Sequence, residues 1–323
     1  MSTVRVPEIS LLLEINKLKE ISSGGEGTIY EIDNDWALKI FHDPWKQQAE
    51  KIKILEKAFS QKEKLWVNLR SVATVPEYLV RNEDGKIIGY LMKNCQGWNT
   101  LNCLYDGQTK IKDVLGVFIK IHNALCAIHE NGLTVGDLNG KNIIYSGLEK
   151  DQPQIRIVDF DNLTINRPDI GINFCPLMQD PEVIHPDHLK AQKNGTPLPS
   201  FLPKHDWWIF AYLLTKCLTG SDPFEQGNFM NLDISDMERR QEGLLAMHKG
   251  INLGSPIYYS LYLRIGIPLK HFLKRWLSRS EEGIFPINLL ENTMQEMMEC
   301  PSCKKEINGR LTICPFPNCE QLL

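Results

Sequence analysis

The chain has 323 residues, of which 42% are hydrophobic and 24% are charged, as in globular proteins large enough for two lobes and an appendage. Its 36 basic and 40 acidic residues give a formal net charge of -4, which offers no electrostatic reason to expect nucleic acid or an anionic membrane as the main partner. These totals exclude a single small domain, and net charge does not indicate nucleic acid.

The apolar segments are too short to direct the chain to a membrane. The run at 9–13 is followed at once by Glu14, so it is too short for the core of a signal peptide. The stretch at 207–218 contains Lys216 and is shorter than a membrane span. We therefore expect a cytoplasmic protein without a membrane partner.

The first ninety residues have the pattern of a sheet with one helix. Residues 44–59 contain no internal proline or glycine and place apolar side chains on one face, which predicts an amphipathic helix. Partly alternating apolar segments, separated by glycine and Asn-Asp turn signals, predict short strands at 18–22, 28–32, 36–41, 77–80 and 86–92.

From residue 111 onward the pattern becomes mainly helical. Helices are predicted at 114–130, ended by Asn131-Gly132, and at 207–218, ended by Gly220. Residues 93–102 are the predicted connection between the two halves. The proline-rich stretch 191–203 is predicted to lack regular structure. The fold class is therefore α+β, with a small sheet-rich half before a larger helical half.

A glycine-rich turn and a strand lysine lie in the sheet-rich half. Gly24, Gly25 and Gly27 stand between two predicted strands, where backbone without side chains can approach phosphate oxygens closely. Hairpin tips favour glycine in any case, so this turn alone has a purely structural alternative. Lys39 follows in the apolar strand 36–40, twelve positions after Gly27.

Three polar residues of the helical half lie close together in sequence. Asp137 and Asn142 are five positions apart in the segment 133–145, and Asp159 follows the short strand at 155–158. With the glycine-rich turn and Lys39 in the same order, this set resembles the eukaryotic-type protein kinase domain. The resemblance extends over about residues 18–280 and implies a two-lobed kinase-like fold.

The resemblance implies a role for each of these residues. Gly24, Gly25 and Gly27 would cover ATP, Lys39 would hold the α- and β-phosphates, and Asp137 would position the attacking hydroxyl, while Asn142 and Asp159 would bind Mg²⁺. Lys141 would reach the γ-phosphate. A glutamate of the helix 44–59 would position Lys39; Glu50 is our choice and Glu56 the alternative. Asp206 would brace the catalytic loop, or would simply cap a helix.

Several positions depart from the family pattern. The catalytic loop reads Val135-Gly136-Asp137, so the arginine that would receive an activation-loop phosphate is absent, and control by that route is not expected. Tyr30 stands where we expect the third glycine of the phosphate loop. Asp161 replaces the glycine that follows Asp159-Phe160, which predicts a less mobile turn. Asp180-Pro181-Glu182 resembles the end of a kinase activation segment.

Four cysteines crowd the end of the chain. Cys300 and Cys303 form one pair and Cys314 and Cys319 a second, ten residues later, which is metal-ligand spacing rather than a disulfide framework. Four thiolates suit a closed, structural Zn²⁺ site. We predict a zinc-ribbon-like module at 297–323; redox-active cysteines are the alternative.

The sequence therefore predicts a kinase-like domain at 15–290, with lobes at about 15–94 and 95–290, followed by the zinc module. The expected function is an ATP- and Mg²⁺-dependent Ser/Thr protein kinase with a protein substrate or partner. A nucleotide-binding pseudokinase scaffold that recruits partners through its zinc module is one alternative. A small-molecule kinase, suggested by Gly136, is another.

Overall fold

The protein is described by a computed structural model. It describes residues 3–42, 49–60, 67–150, 152–159, 163–167, 172–174, 184–224, 228–229, 235–245, 251–252, 264–316 and 319. Strands predominate before residue 94 and helices after residue 110, which fits the α+β class and the kinase-like fold predicted from the sequence.

The strands occur in two groups. Those of the N-terminal half are β1 (Thr3–Val6), β2 (Leu11–Glu14), β3 (Lys19–Ser23), β4 (Gly27–Glu31), β5 (Trp36–Phe41), β6 (Tyr78–Arg81) and β7 (Ile87–Lys93). The later strands are shorter, namely β8 (Asn99–Thr100), β9 (Leu133–Thr134), β10 (Ile143–Ser146), β11 (Gln154–Ile157), β12 (Thr164–Arg167), β13 (Ile172–Phe174), β14 (Asn228–Phe229), β15 (Ile251–Asn252), β16 (Met297–Glu299) and β17 (Glu306–Asn308).

Helix α1 lies among the early strands, and the others follow residue 110. Their bounds are α1 (Ala49–Ser60), α2 (Ile111–Glu130), α3 (Pro186–Asn194), α4 (Pro203–Thr219), α5 (Asp236–Glu242), α6 (Ile267–Leu277) and α7 (Ile287–Glu296). The stretch predicted to lack regular structure from residue 191 is helical as far as Asn194, and Gly195 then ends α3 with a φ of 63°. The prediction was therefore wrong for the first four residues.

Within the described residues, seven strands form one antiparallel sheet in the order β2-β1-β6-β7-β5-β4-β3. Because β1 pairs with β6, the sheet begins before residue 15, where we predicted the domain to start. Successive side chains of a strand face opposite sides. In β5, Leu38 packs into a small outer apolar cluster, whereas Ala37 and Phe41 belong to the main core. Lys39 therefore points toward the main core.

The helical half is built around α2 and α4. Phe118 of α2 and Phe210 of α4 meet edge to face with ring centroids 5.3 Å apart, and both are fully buried. Trp207 also packs against Phe210. This aromatic core packs α2 against α4. Among the described residues, no helix combines the length and apolar character needed to cross a membrane.

Three buried histidines meet where α3 and α4 begin. Burial, together with the neighbouring His205 and His188, lowers the pKa of His185 to about 2. Burial likewise lowers the pKa of His205 to about 4 and that of His188 below its ordinary value. The rings are therefore neutral at physiological pH. The sequence analysis assigned these histidines no role.

Candidate active site

The glycine-rich turn connects β3 and β4. The Gly24 amide donates to the Gly27 carbonyl over 3.0 Å, which closes the hairpin tip. A Cβ on Gly27 would lie 2.5 Å from the Ile40 carbonyl oxygen, so close approach of the next strand requires glycine there. Nothing lies within 4 Å of a Cβ built on Gly24 or Gly25. The tip thus leaves open space beside its backbone.

Tyr30 lies outside this turn. It pairs with Leu38 in the middle of β4, and its ring packs against the outer apolar cluster of the sheet. The expectation that Tyr30 takes the place of the third glycine stays a prediction; its ring faces the outer apolar cluster, away from the main core.

A side-chain ion pair joins the glycine-rich turn to α1. Glu26, at the tip, accepts a hydrogen bond from Lys51 of α1 over 2.8 Å. The Lys51 side chain is 7% exposed and that of Glu26 is 32% exposed. The spacing of charges gave no signal of this contact, because the two residues are 25 positions apart.

Lys39 of β5 contacts Asp159, which follows β11. Its Nζ lies 3.1 Å from Asp159 Oδ1, and the residue is only 4% exposed. Lys39 therefore does not face solvent, as an isolated lysine in a strand often does. The structure brings together two of the predicted residues that are 120 positions apart.

The two candidate glutamates of α1 stand differently. The side chain of Glu50 lies outside the described part of the structure, so its pairing with Lys39 stays a prediction. Glu56 is exposed and its Oε1 lies 3.7 Å from Arg81 Nη1. This contact gives the alternative glutamate another cationic partner, on β6.

Asp206 holds the backbone of the catalytic loop. It is 0% exposed and accepts from the Val135 amide at 2.8 Å and from the Gly136 amide at 2.9 Å. His129 Nε2 lies 2.8 Å from the same carboxylate. Leu202, and not Asp206, stands at the N-cap of α4. The bracing role suggested by the resemblance is therefore confirmed, and the capping alternative is wrong.

Glycine at position 136 has a local cause. Its φ is 71°, a region that residues with a Cβ rarely adopt. A Cβ there would also lie 3.1 Å from the Phe201 ring. The backbone conformation that presents two consecutive amides to Asp206 thus explains this glycine.

Two asparagines order the chain around Asp137. The Asn142 side-chain amide donates to Asp137 Oδ2 over 3.1 Å, which leaves its Oδ1 as the acceptor available to a cation. Asn139 is buried. Its Nδ2 donates to the Asp137 carbonyl over 3.2 Å, and its Oδ1 accepts from the amides of Lys141 and Asn142 at 2.9 and 3.0 Å. No sequence pattern indicated this organising role of Asn139.

Asp159 is placed next to Asn142 by the β10–β11 hairpin. The Val158 amide donates to the Asn142 carbonyl over 2.9 Å, and Ile157 is tied to the N-terminal half because its carbonyl accepts from the Thr74 amide at 2.9 Å. Asp159 has a φ of 53°, the left-handed region that Asp tolerates better than most residues. The chain thus turns out of the strand at Asp159, and the carboxylate lies toward Lys39.

The remaining predicted residues are placed as follows. The Lys141 side chain is exposed at the surface of the loop, and its reach toward a γ-phosphate stays a prediction. Phe160, Asp161 and the segment 180–182 lie outside the described residues.

The four C-terminal cysteines converge. The Sγ atoms of Cys300 and Cys319 are 3.6 Å apart and those of Cys303 and Cys314 are 3.7 Å apart; all four lie within 4.8 Å of one another. Sulfurs at about 2.3 Å from a tetrahedral zinc ion stand about 3.8 Å apart. The cluster is therefore compatible with a zinc ribbon, and its four thiols fit the ion in number and spacing.

The cysteine module packs directly on the helical half. The Glu306 carboxylate on β17 accepts from the Ile111 amide, and from the Lys112 amide over 3.2 Å. These are orphan donors of the first turn of α2, where a negative charge also suits the helix dipole. The Arg264 Nε donates to the Glu306 carbonyl over 2.7 Å. The module is thus connected to the helix that precedes the catalytic loop.

Comparison with known proteins supports a protein-kinase-like domain. No protein-family model matches the chain. Protein kinase YegI of Escherichia coli O157:H7 is 26% identical over 337 residues, which cover 92% of this chain and 48% of that protein. Serine/threonine-protein kinase pkn2 of Myxococcus xanthus is 23% identical over 216 residues, 64% of this chain and 24% of that protein. The chain thus spans about half the length of the first relative, and less of the second. Their names support a kinase and phosphotransferase assignment.

Proposed function

We propose that the chain is an ATP- and Mg²⁺-dependent protein kinase that phosphorylates Ser or Thr. Two contacts carry this proposal: Lys39 lies 3.1 Å from Asp159, and Asn142 donates to Asp137 over 3.1 Å. Asn142 and Asp159 stand at the two ends of the β10–β11 hairpin, which brings the contacts together. The kinase names of its relatives, one of them a serine/threonine kinase, support the reaction class.

The proposed roles follow from the chemistry of each group. Asp137 orients the substrate hydroxyl and accepts its proton as the γ-phosphate is transferred, while Lys39 holds the α- and β-phosphates. Asn142 and Asp159 supply the hard oxygen ligands that Mg²⁺ prefers. The ion, when bound, neutralises charge on the phosphates. The turn at Gly24 and Gly25 leaves room for phosphates beside its backbone amides.

Two further observations favour a protein kinase over the alternatives. The catalytic loop keeps both its carboxylate and its ordered backbone, which a scaffold that only binds nucleotide would not require. The φ of 71° at Gly136 explains that residue without reference to a small-molecule substrate.

We propose that the cysteine cluster binds Zn²⁺ in a structural role, because four thiolates leave no open position for a substrate.

Phosphosite mass spectrometry after incubation with ATP and Mg²⁺ tests the proposal. Purified protein, alone and with a lysate protein fraction, should yield phosphoserine or phosphothreonine. Asp137→Asn keeps the volume and removes the base, so labelling should fall by about a hundredfold or more. Asp35→Asn, at an exposed turn, is the control and should label normally.

Three results would contradict this function. Labelling that persists unchanged in Asp137→Asn would exclude Asp137 as the base. Nucleotide-induced thermal stabilisation without any phosphosites in the unsubstituted protein would favour the scaffold, and phosphorylation of metabolites alone would favour a small-molecule kinase.

A further inference from the structure

The histidine cluster of His185, His188 and His205 lies apart from the ATP site. The three residues are 4%, 1% and 1% exposed, and one ring nitrogen from each lies within 4.8 Å of the other two. His185 stands at the N-cap of α3, His188 lies in its first turn, and His205 lies in the first turn of α4. Two helix starts thus bring three imidazoles together in the interior.

His188 has a nitrogen with no hydrogen-bond partner. Its Nε2 lies 3.0 Å from the Pro199 carbonyl oxygen, and because a carbonyl only accepts, this nitrogen carries the proton. Nδ1 is then a lone-pair acceptor, and it is buried without a partner among the described residues. Buried polar atoms normally meet protein, water or an ion. A histidine that donates one N–H to a carbonyl and presents its other nitrogen has the arrangement typical of metal ligands.

Asp187 places a carboxylate beside the same cluster. Its Oδ2 lies 3.7 Å from His185 Nδ1 and 3.7 Å from His205 Nε2. A cavity of about 200 Å³ is lined by His185 and Asp187, which gives an ion a path from the surface. Lys204 and Arg279 also approach Asp187, at 3.5 and 3.6 Å, so the carboxylate is shared between them and the cluster.

Two backbone hydrogen bonds occupy ring nitrogens of the cluster. The amides of Asp187 and Leu202 donate to Nδ1 of His185 and of His205, each over 3.1 Å. Metal binding to either ring gives up its backbone bond: a metal at Nδ1 takes the lone pair that accepts from the amide, and a metal at Nε2 moves the ring proton to Nδ1. Two buried amides then lose their acceptors, which costs free energy, whereas metal binding to a structural site contributes much more. The exchange is therefore favourable.

We propose that His185, His188 and His205, with Asp187 as fourth ligand, bind a divalent transition-metal ion such as Zn²⁺. Imidazole nitrogens with one carboxylate are a donor set that zinc accepts in tetrahedral geometry. The proposal is independent of the kinase activity and of the cysteine cluster.

The site lies next to the residues that support the catalytic loop. The His188 ring stacks on Phe201 with centroids 4.5 Å apart, and a Cβ on Gly136 would lie 3.1 Å from the same Phe201 ring. His205 directly precedes Asp206, which holds the catalytic loop. The ion would fasten α3 to α4 immediately behind that loop.

Zinc counting on the full chain tests the site. Protein stripped with a chelator, reloaded with Zn²⁺ and desalted should contain about two zinc ions per chain, one per cluster. Alkylation of the thiols with N-ethylmaleimide should release about one of them, because it removes the thiolate ligands of the cysteine cluster and leaves the imidazole ligands of the histidine cluster in place. A protein that holds about one zinc ion, all of it lost on alkylation, would overturn the proposal without any variant.

Substitutions locate the second ion. His188→Gln and His205→Gln should each lower zinc content by about one ion per chain and abolish the alkylation-resistant fraction. His122→Gln is the matched control, since His122 is also buried and its Nε2 also lies against a carbonyl, that of Phe285 at 2.7 Å. It should keep both ions. Unchanged zinc content in folded His188→Gln would contradict the site, and alkylation of the unsubstituted protein decides the matter if the variants fail to fold.

Discussion

The catalytic loop and the glycine-rich turn are held by different interactions. Buried Asp206 and Asn139 bind the backbone of the catalytic loop through five hydrogen bonds of 2.8 to 3.2 Å. The glycine-rich turn is instead attached to α1 by the partly exposed Glu26–Lys51 pair. Backbone-directed bonds to a buried group fix a single conformation, whereas an ion pair with one partly exposed partner is weakened by water and salt.

This difference suits the two tasks that we propose. A base must stand in one place before the substrate arrives, since misplacement by about 1 Å is costly for catalysis. A loop that covers a nucleotide must open and close in each cycle. The comparison therefore predicts large effects on rate from changes at the catalytic loop and small effects on nucleotide affinity from changes at the turn.

The largest effect is expected from Asp206→Asn. One carboxylate oxygen becomes an NH₂ group that faces a donor, so a buried amide of Val135 or Gly136 loses its acceptor. We expect the free energy of unfolding to fall by about 2–3 kcal/mol and kcat of the folded fraction to fall at least about tenfold. Denaturant unfolding and steady-state kinetics measure the two quantities.

Asp222→Asn is the matched control for this change. Asp222 is also buried and bonds Arg240 and the Phe224 amide, away from the catalytic loop. It should destabilise the protein with little change in kcat. Equal kcat losses in the two variants would mean that general destabilisation, and not loop bracing, explains the Asp206 effect.

A smaller effect is expected from Asn139→Ala. The change removes three hydrogen bonds around Asp137 and should lower the free energy of unfolding by about 1–3 kcal/mol. Because Lys39 and the glycine-rich turn are untouched, kcat should fall by about tenfold while KM for ATP changes less than about twofold. Asn82→Ala, at another buried asparagine in the β6–β7 turn, should destabilise without lowering kcat. A rise in KM with unchanged kcat would contradict the role of Asn139.

The smallest effect is expected from Lys51→Met. Glu26 is about one third exposed, so the pair should contribute less than about 1 kcal/mol to stability. We expect KM for ATP to rise about two- to fivefold at low salt with kcat unchanged, and the difference to vanish at about 1 M salt, where charges are screened. Lys53→Met on the exposed side of α1 should have no effect. A loss of kcat comparable to that of Asn139→Ala would refute the contrast between the two loops.

Local sequence pattern predicted most of the elements that frame the site. The predicted strands at 36–41 and 86–92 match β5 and β7 within one residue, and the helix at 114–130 ends where α2 ends. Periodicity and turn residues act over a few positions, so they can be recognised in one sequence. The early strands β1 and β2 were not predicted, since their membership of the sheet depends on pairing with the distant β6.

The order and spacing of Lys39, Asp137, Asn142 and Asp159 were sufficient, through a family resemblance, to propose a kinase and its candidate site. The four cysteines likewise predicted their own cluster, because close spacing limits how far their thiols can separate. Tertiary structure decided between the two roles expected for Asp206, and it alone showed that Glu26 pairs with Lys51, that Glu306 caps α2, and that three histidines meet behind the loop. Each of these arrangements joins segments that are separate in sequence and carry no shared local pattern, and packing of the intervening helices and strands brings them together.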